Sequence, residues 1–399
     1  MMHAAGLIGL GGYIPGKPVS PERRAALVRF LRTRTPLPAE YIDPIEKDGV
    51  LPGTIETNFS GWESQPWFPA WLERLPEKKR KDPFSGTRER RRVPLDPYSV
   101  AHSLQPHPML CSDAETIAGA LAIVGTATDP DEIDLVMNTT MIPDRPVPLN
   151  ACLVQHKLSL KNAGAYNVDS CCSSFITMCE VAAGLIRSGI KQKILLVASY
   201  LGSCVIDRSE YYSPCAGDAV MAAIMTRVEP GYGYLASHST SHGNLHAAIV
   251  HVRRKPFLHV ESNFGPSCEK EYVTFNDQAL CREVAEKSQE YTSEVALAAL
   301  KKAGHAPKDV RLLVTHQPIK WAPHAWREAI GTSQESIFET YERYGNIACA
   351  SVPTNLLEAL EAKRLQPGEL LLMASPGAGE NHIAALERAT PELIKNSWT

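Results

Sequence analysis

The sequence predicts an α/β fold built from two copies of one helix–strand unit, and two matched pairs of segments carry that reading. The first pair is AETIAGALAIVGTATDPDEIDLVMNTT, from Ala114 to Thr140, and SEVALAALKKAGHAPKDVRLLVTHQ, from Ser293 to Gln317. Each is an Ala- and Leu-rich helical pattern, a break containing proline, and then an apolar, β-rich run. The second pair follows the first in each half: CSSFITMCEVAAGLIRSGIKQKILLVAS from Cys172, and CASVPTNLLEALEAKRLQPGELLLMAS from Cys349. Each opens a helix at a small polar cluster, turns briefly and enters a buried strand. Chance likeness between amphipathic stretches explains one such pair more readily than two in the same order. The duplication divides the chain into an N-terminal half over residues 1–235 and a C-terminal half over 236–399.

Between the halves, GYGYLASHSTSHGNLHAAIVHVRRKPF alternates in polarity and predicts strands and a loop. Residues 34–83 have a different character. They are rich in Pro and Trp (Trp62, Trp67, Trp71) and end in the basic run Lys78-Lys79-Arg80-Lys81, so they read as an insertion into the first half. Tryptophans need apolar surface to pack against. The insertion either covers its parent domain or presents a face to a partner.

The bulk numbers exclude several classes. With 399 residues, 44% hydrophobic and 21% charged, the chain has the makeup of a soluble globular protein with a substantial core. A formal net charge of −3 gives no whole-chain reason to expect nucleic acid as a partner. The start, MMHAAGLIGLGGYIPGKPVS, lacks the basic-then-apolar pattern of a signal peptide, and no apolar run is long enough to span a bilayer. Ten cysteines fall at positions that form no CxxC pair and no regular framework. They predict a reducing, cytoplasmic setting, with neither disulfides nor a metal site.

Three stretches carry candidates for chemistry. In AYNVDSCCSSF a strand delivers Cys171 and Cys172 to a helix start, where unpaired N–H groups and partial positive charge favour a thiolate. The same stretch also suits two small residues packed at a tight turn. In RLLVTHQPIKW, His316 stands at the end of a buried strand, where α/β sheets open onto their sites, although a lone core histidine fits equally well. In YGNIACASVP, Asn346 lies in a Gly-led loop and reads first as a turn residue. The duplication changes the weighing. It sets Thr315-His316 opposite Thr139-Thr140 and the Cys349 helix opposite the Cys172 helix, so Cys172, His316 and Asn346 converge on one centre.

These residues resemble the ketoacyl-ACP synthase III branch of the thiolase superfamily. The family's Cys followed by a small-small-Phe pattern appears as Cys172-Ser173-Ser174-Phe175, which selects Cys172 over Cys171. Its His-Gln motif appears as His316-Gln317, and its Gly-Asn motif as Gly345-Asn346 with Ala350 to Pro353 following. The early strand motif resembles Gly86 to Arg90, and Ala216-Gly217-Asp218-Ala219 resembles the Gly-Asp-Gly-Ala region. Two departures stand out. The C-terminal glycine-rich loop reads Gly377-Ala378-Gly379-Glu380, and Phe84 stands where the family often has the Arg that grips coenzyme A.

The resemblance implies a five-layered α-β-α-β-α fold, a homodimer and no bound cofactor. The substrates it implies are acyl-CoA or acyl-ACP phosphopantetheine thioesters. It also implies that Cys172 carries an acyl group and that the N–H groups of Cys172 and Ala378 form an oxyanion hole. His316 and Asn346 would stabilise the enolate of a decarboxylating malonyl unit. Val147 would close the acyl pocket of the partner subunit. The insertion at 34–83 would cap the tunnel mouth, and Lys78, Lys79, Arg80 and Lys81, with Arg88 to Arg92, would meet the carrier or CoA phosphopantetheine, although solvated basic runs explain these charges equally well. The expected activity is a carbon–carbon condensation in fatty-acid-like or polyketide metabolism. The alternative is acyl transfer to an alcohol or amine on the same fold. A Cys-His-Asn protease and a catalytically silent subunit are further alternatives, opposed respectively by the duplicated halves and by the intact trio.

Overall fold

A strand that reads as an unbroken apolar run must be covered on both faces, and that requirement sets the architecture. The computed structural model describes residues 3–57, 62–64, 68–81, 83–84, 89–94, 109–206, 210–254 and 270–397. The chain first forms β1 (Ala4–Tyr13), α1 (Pro21–Arg34), α2 (Ala39–Asp48), β2 (Thr54–Thr57), α3 (Phe68–Arg74), β3 (Glu89–Arg92), α4 (Cys111–Thr126) and β4 (Leu135–Thr140). It continues through α5 (Asn150–Lys157), β5 (Gly164–Asn167), α6 (Ser174–Arg187), β6 (Lys193–Leu201), α7 (Gly202–Val205) and β7 (Asp218–Val228). Then come β8 (Gly233–Ser241), β9 (Ile249–Arg254), β10 (Lys270–Phe275), α8 (Gln278–Lys302), β11 (Val310–Thr315), α9 (Ala322–Ile330) and β12 (Ile337–Phe338). The last elements are α10 (Tyr341–Tyr344), α11 (Ser351–Glu361), β13 (Leu370–Gly377), β14 (Asn381–Arg388) and α12 (Pro391–Asn396).

The two large sheets match strand for strand. One has the order β5-β4-β6-β7-β1 and the other β12-β11-β13-β14-β8. In each, the first three strands are parallel and the last two join antiparallel. Alternation along each strand feeds two different cores, because successive side chains point to opposite faces. In β6, Ile194, Leu196 and Ala198 face the core they share with α6 and α11, while Leu195 and Val197 face α1, α2 and α4. In β11, Leu312 and Val314 face that same central core, and Leu313 faces α8. The layers are therefore outer helices, sheet, α6 with α11, sheet, outer helices. A helix covered by sheets on two sides must be apolar over most of its circumference. Accordingly, α11 buries every residue from Ser351 to Leu360.

Both β4 and β11 end at this middle layer, and both α6 and α11 begin in it. Cys172 sits in a single 3-10 turn, Cys171–Ser173, that leads into α6, and a matching turn, Ala348–Ala350, leads into α11. His316 is the residue immediately after β11. No helix among the described residues is long and apolar enough to cross a membrane.

The segment 34–83 folds as two parts. Tyr41, Ile42, Ile45 and Leu51 join the outer core with α1 and α4. The Trp-rich part forms its own cluster of Trp62, Phe68, Trp71 and Leu75, with Phe84 stacked on Trp71 at 5.5 Å. Trp67 lies outside the described residues. Two polar contacts tie this cluster to the body: the Trp71 indole N–H donates to the Glu210 carbonyl at 2.9 Å, and Arg74 meets the Glu210 carboxylate at 2.7 Å. Trp71 is fully buried. Truncating such a side chain typically costs about 3–5 kcal/mol, so Trp71→Ala is expected to lower the unfolding free energy from urea titration by that order. A change below about 1 kcal/mol would show that the aromatic cluster anchors nothing.

Candidate active site

The turn at Cys172 is sharp because two local features bend it. The Cys171 N–H donates to Asp169 Oδ1 at 2.6 Å, and Cys171 itself is left-handed, with φ of 57°. A non-glycine residue in that region is strained and persists only where its surroundings hold it. The far side is held by β13. Ser375 Oγ donates to the Cys172 carbonyl at 3.1 Å, and Gly377 approaches so closely that an added Cβ would lie 2.1 Å from the Ser170 carbonyl oxygen. The Ala378 N–H then reaches the Cys172 thiol, as does the N–H of Cys172 itself.

Burial pushes the Cys172 thiol up, and these two N–H groups offset only part of that rise. The expectation that the helix start makes a resting thiolate is therefore corrected: desolvation outweighs the local donors. Cys171, more open, is raised to about 11 by the same cause. Cys349, fully buried in the turn that leads into α11, donates to the Ser199 carbonyl at 3.4 Å, and burial pushes its thiol up as well.

His316 is buried as well. Its Nδ1 lies 3.2 Å from Ser351 Oγ, and the ring bonds the Ala348 backbone. Desolvation lowers its pKa to about 3, against which the Ala348 contact works only weakly, so the imidazole is neutral near pH 7. Asn346 is fixed through three contacts. Its N–H donates to the Cys215 carbonyl at 2.6 Å, its carbonyl accepts from Gly217 N–H at 3.2 Å, and its Oδ1 accepts from Ala348 N–H at 2.9 Å. With Oδ1 engaged, the amide presents Nδ2 as its donor side. Ala348 thus touches both His316 and Asn346, while the 3-10 turns at Cys172 and Ala348 pack against each other. The structure brings Cys172, His316, Asn346 and the Ala378 N–H to one locus.

Gly345 sets the approach of Asn346. It has φ of 67°, and an added Cβ would lie 2.2 Å from the Cys215 carbonyl oxygen and 2.6 Å from Arg90 Nε. Arg90 is fully buried and donates to the carbonyls of Pro214, Glu89, Tyr341 and Glu342. Arg92, also buried, donates to the Ala216 carbonyl. This corrects the expectation that the arginines up to Arg92 form a carrier-facing surface: Arg90 and Arg92 are internal braces of the loops at 214–216 and 341–346. Arg88 lies outside the described residues. Lys78, Lys79, Arg80 and Lys81 are exposed. Arg80 is partly committed, donating to the Leu75 and Glu73 carbonyls at the end of α3.

Val147 is 81% exposed and does not reach the locus within its own chain. Its loop is anchored from inside. Ser112 donates to the Asp144 carboxylate, Asp144 N–H donates to Asn150 Oδ1, and Asn150 Nδ2 donates to the buried Glu115 at 2.9 Å. Sequence reasoning missed Ser351, Ser375, Arg90 and Glu115. Arg90 and Ser351 each lay inside a recognised motif, Gly86 to Arg90 and Ala350 to Pro353, whose residues carried no assigned contact.

The buried, neutral His316 makes stability depend on pH. Its folded pKa lies below the ordinary value of 6.5, so between those values the unfolded chain binds a proton that the native chain does not. The stabilisation is complete above pH 6.5 and is lost as pH falls towards 3, at up to about 1.4 kcal/mol per pH unit. His316→Gln is expected to flatten the fall of Tm between pH 6.5 and the acid limit. An unchanged slope would mean that His316 is not the group responsible.

Residues 166–243 match the family described as 3-oxoacyl-[acyl-carrier-protein] synthase III, and residues 300–388 match its C-terminal region. The β-ketoacyl-[acyl-carrier-protein] synthase III of Aquifex aeolicus is 31% identical over 261 residues, 65% of this chain and 78% of that protein. Its counterpart from Geobacillus kaustophilus is 30% identical over 270 residues, 67% of this chain and 80% of that protein. The crystal structure of the Thermus thermophilus synthase III superposes with a TM-score of 0.70 at 26% identity, covering 97% of this chain and 99% of that one. The duplicated sheets, the cysteine turn between them and these likenesses agree: the chain belongs to the β-ketoacyl-[acyl-carrier-protein] synthase III family of the thiolase superfamily.

Proposed function

We propose that this chain is a condensing enzyme that joins a Cys172-bound acyl group to a malonyl-type thioester. In the first half-reaction the Cys172 sulfur attacks the acyl thioester carbonyl. The thiol proton ends on the departing carrier thiol. The tetrahedral oxygen would be held by the N–H groups of Cys172 and Ala378, which point at the sulfur. In the second, the malonyl carboxylate leaves as CO2 and its electron pair forms an enolate. Neutral His316 has a single N–H; with it on Nε2 and Nδ1 accepting from Ser351 Oγ, that N–H and the Nδ2–H of Asn346 would hold the enolate oxygen. The enolate carbon attacks the Cys172 thioester, the C–S bond breaks, and the sulfur regains a proton. The product is a β-ketoacyl thioester on the second carrier.

The observation that carries the reading is the Asn346 amide, turned by its Oδ1 contact to offer a donor beside a histidine kept neutral by burial. The acyltransferase alternative needs His316 as a general base for an alcohol or amine. A base works best with a pKa near the operating pH, and burial takes His316 to about 3, so condensation is favoured. The chain would act as a homodimer with halves at 1–235 and 236–399, the exposed Val147 of each protomer closing its partner's acyl pocket. Acyl-CoA or acyl carrier protein would supply the thioesters. The exposed Lys78, Lys79 and Lys81 would meet the carrier.

The test follows CO2. Asn346→Ala should still gain an acyl mass at Cys172 but lose about 10²–10³ in release of labelled CO2 from malonyl-CoA or malonyl carrier protein. Turnover with a nucleophilic acceptor and no CO2 release from either donor would establish acyl transfer instead. A separate substitution probes the pocket: Val147→Phe should shift the preference towards shorter acyl chains, and an unchanged chain-length profile would remove Val147 from the pocket wall.

A further inference from the structure

The Ala378 N–H is held by the turn 378–380 that joins β13 to β14, and its two ends are fixed by different means. At the near end, Ser375 and Gly377 lie against the Cys172 turn. At the far end stands Glu380, a residue with φ of 56°. Side chains other than glycine avoid this left-handed region unless something over-determines them. Glu380 is 4% exposed, and two contacts hold it. Its carbonyl accepts from His242 N–H at 3.0 Å, and its carboxylate lies 2.9 Å from Nε2 of His382, a side chain with no exposure. The far nitrogen of that ring, Nδ1, is 3.2 Å from Thr292 Oγ1 on α8. The rings of Tyr291 and His242 pack edge-on against His382 at 5.4 and 5.9 Å. The chain α8–Thr292–His382–Glu380 thus runs from an outer helix to the residue two positions after Ala378.

We propose that Glu380, His382 and Thr292 are positioning residues that aim the Ala378 N–H at the oxygen of the acyl-transfer intermediate. This rests on the reading of Cys172 as the acyl-carrying residue. The carboxylate–imidazole contact locks Glu380 in its left-handed conformation, and that lock sets the pitch of the loop. A glycine at 380 accepts the same backbone conformation without help, but also accepts others, so it keeps the fold and releases the aim.

The experiment compares two reactions of one sulfur. Acylation by an acyl-CoA passes through an oxyanion, whereas alkylation by iodoacetamide does not. In Glu380→Gly, single-turnover acylation of Cys172, followed by intact mass, is expected to slow by about tenfold or more, towards the 10²–10³ that one oxyanion donor supplies. Alkylation should stay within about twofold of the parent, since it needs no such donor. Glu380→Gln, whose amide oxygen still accepts from His382, should restore acylation to within a few-fold. Thr292→Val leaves the loop sequence untouched and is expected to slow acylation selectively too, so the test survives if the glycine variant fails to fold. Acylation at the parent rate in Glu380→Gly and Thr292→Val would overturn the proposal, as would equal losses in both reactions. A parent protein that is alkylated but takes no acyl group from any thioester would instead refute the reading of Cys172.

Discussion

Removing Cys172 from water costs its thiolate more than the N–H groups of Cys172 and Ala378 return, and the same dryness strips the proton from His316. Resting thiol and resting imidazole are therefore both neutral, although an ion pair between them would be conceivable in a wetter site. Much of the surrounding structure serves this condition. Two sheets press on the helices that start at Cys172 and Cys349, and both helix starts lie in the middle layer. A low-dielectric setting strengthens every fixed donor aimed at a developing charge. The same setting makes each donor's placement costly to get wrong.

Placement is supplied by contacts that cross between the halves. The cysteine comes from the first unit, and the histidine and asparagine from the second. The Cys172 carbonyl is held by Ser375, and the Asn346 backbone is held by Cys215 and Gly217. Each half thus fixes the reactive group of the other. The buried guanidinium of Arg90 extends this by gathering carbonyls from residues 89, 214, 341 and 342. Four carbonyls around one cation are an internal solvent shell, and they add to the backbone bridge between Ala216 and Asn346 that joins the same two segments.

What the sequence disclosed follows from how local each signal is. The cysteine and its helix, the histidine after its strand and the asparagine after its glycine each occupy a run of contiguous residues, and the duplication relates those runs to one another. The repeated α/β unit was legible for the same reason. The supports were not. Ser375 acts 203 residues from Cys172 with no pattern marking it, and Ser351, although inside the Ala350 to Pro353 motif, acts on His316 35 residues away without the motif showing the contact. Arginines in a basic stretch read as solvated charge, because burial by carbonyls leaves no trace in composition. The thiol's state was misjudged for a related reason. A helix start is visible in sequence, but the depth at which it is buried is not.

The carbonyl brace at Arg90 also bears on how such a protein tolerates change. A lysine there keeps the charge but reaches with a single ammonium, so it cannot span carbonyls on three separate segments as a planar guanidinium does. The position admits little drift, while the exposed lysines at 78, 79 and 81 can exchange freely with one another or with arginine. Two basic stretches separated by only a few residues thus stand under opposite physical constraints. One is fixed by the number of backbone oxygens it must satisfy, and the other is free to follow whatever surface it meets.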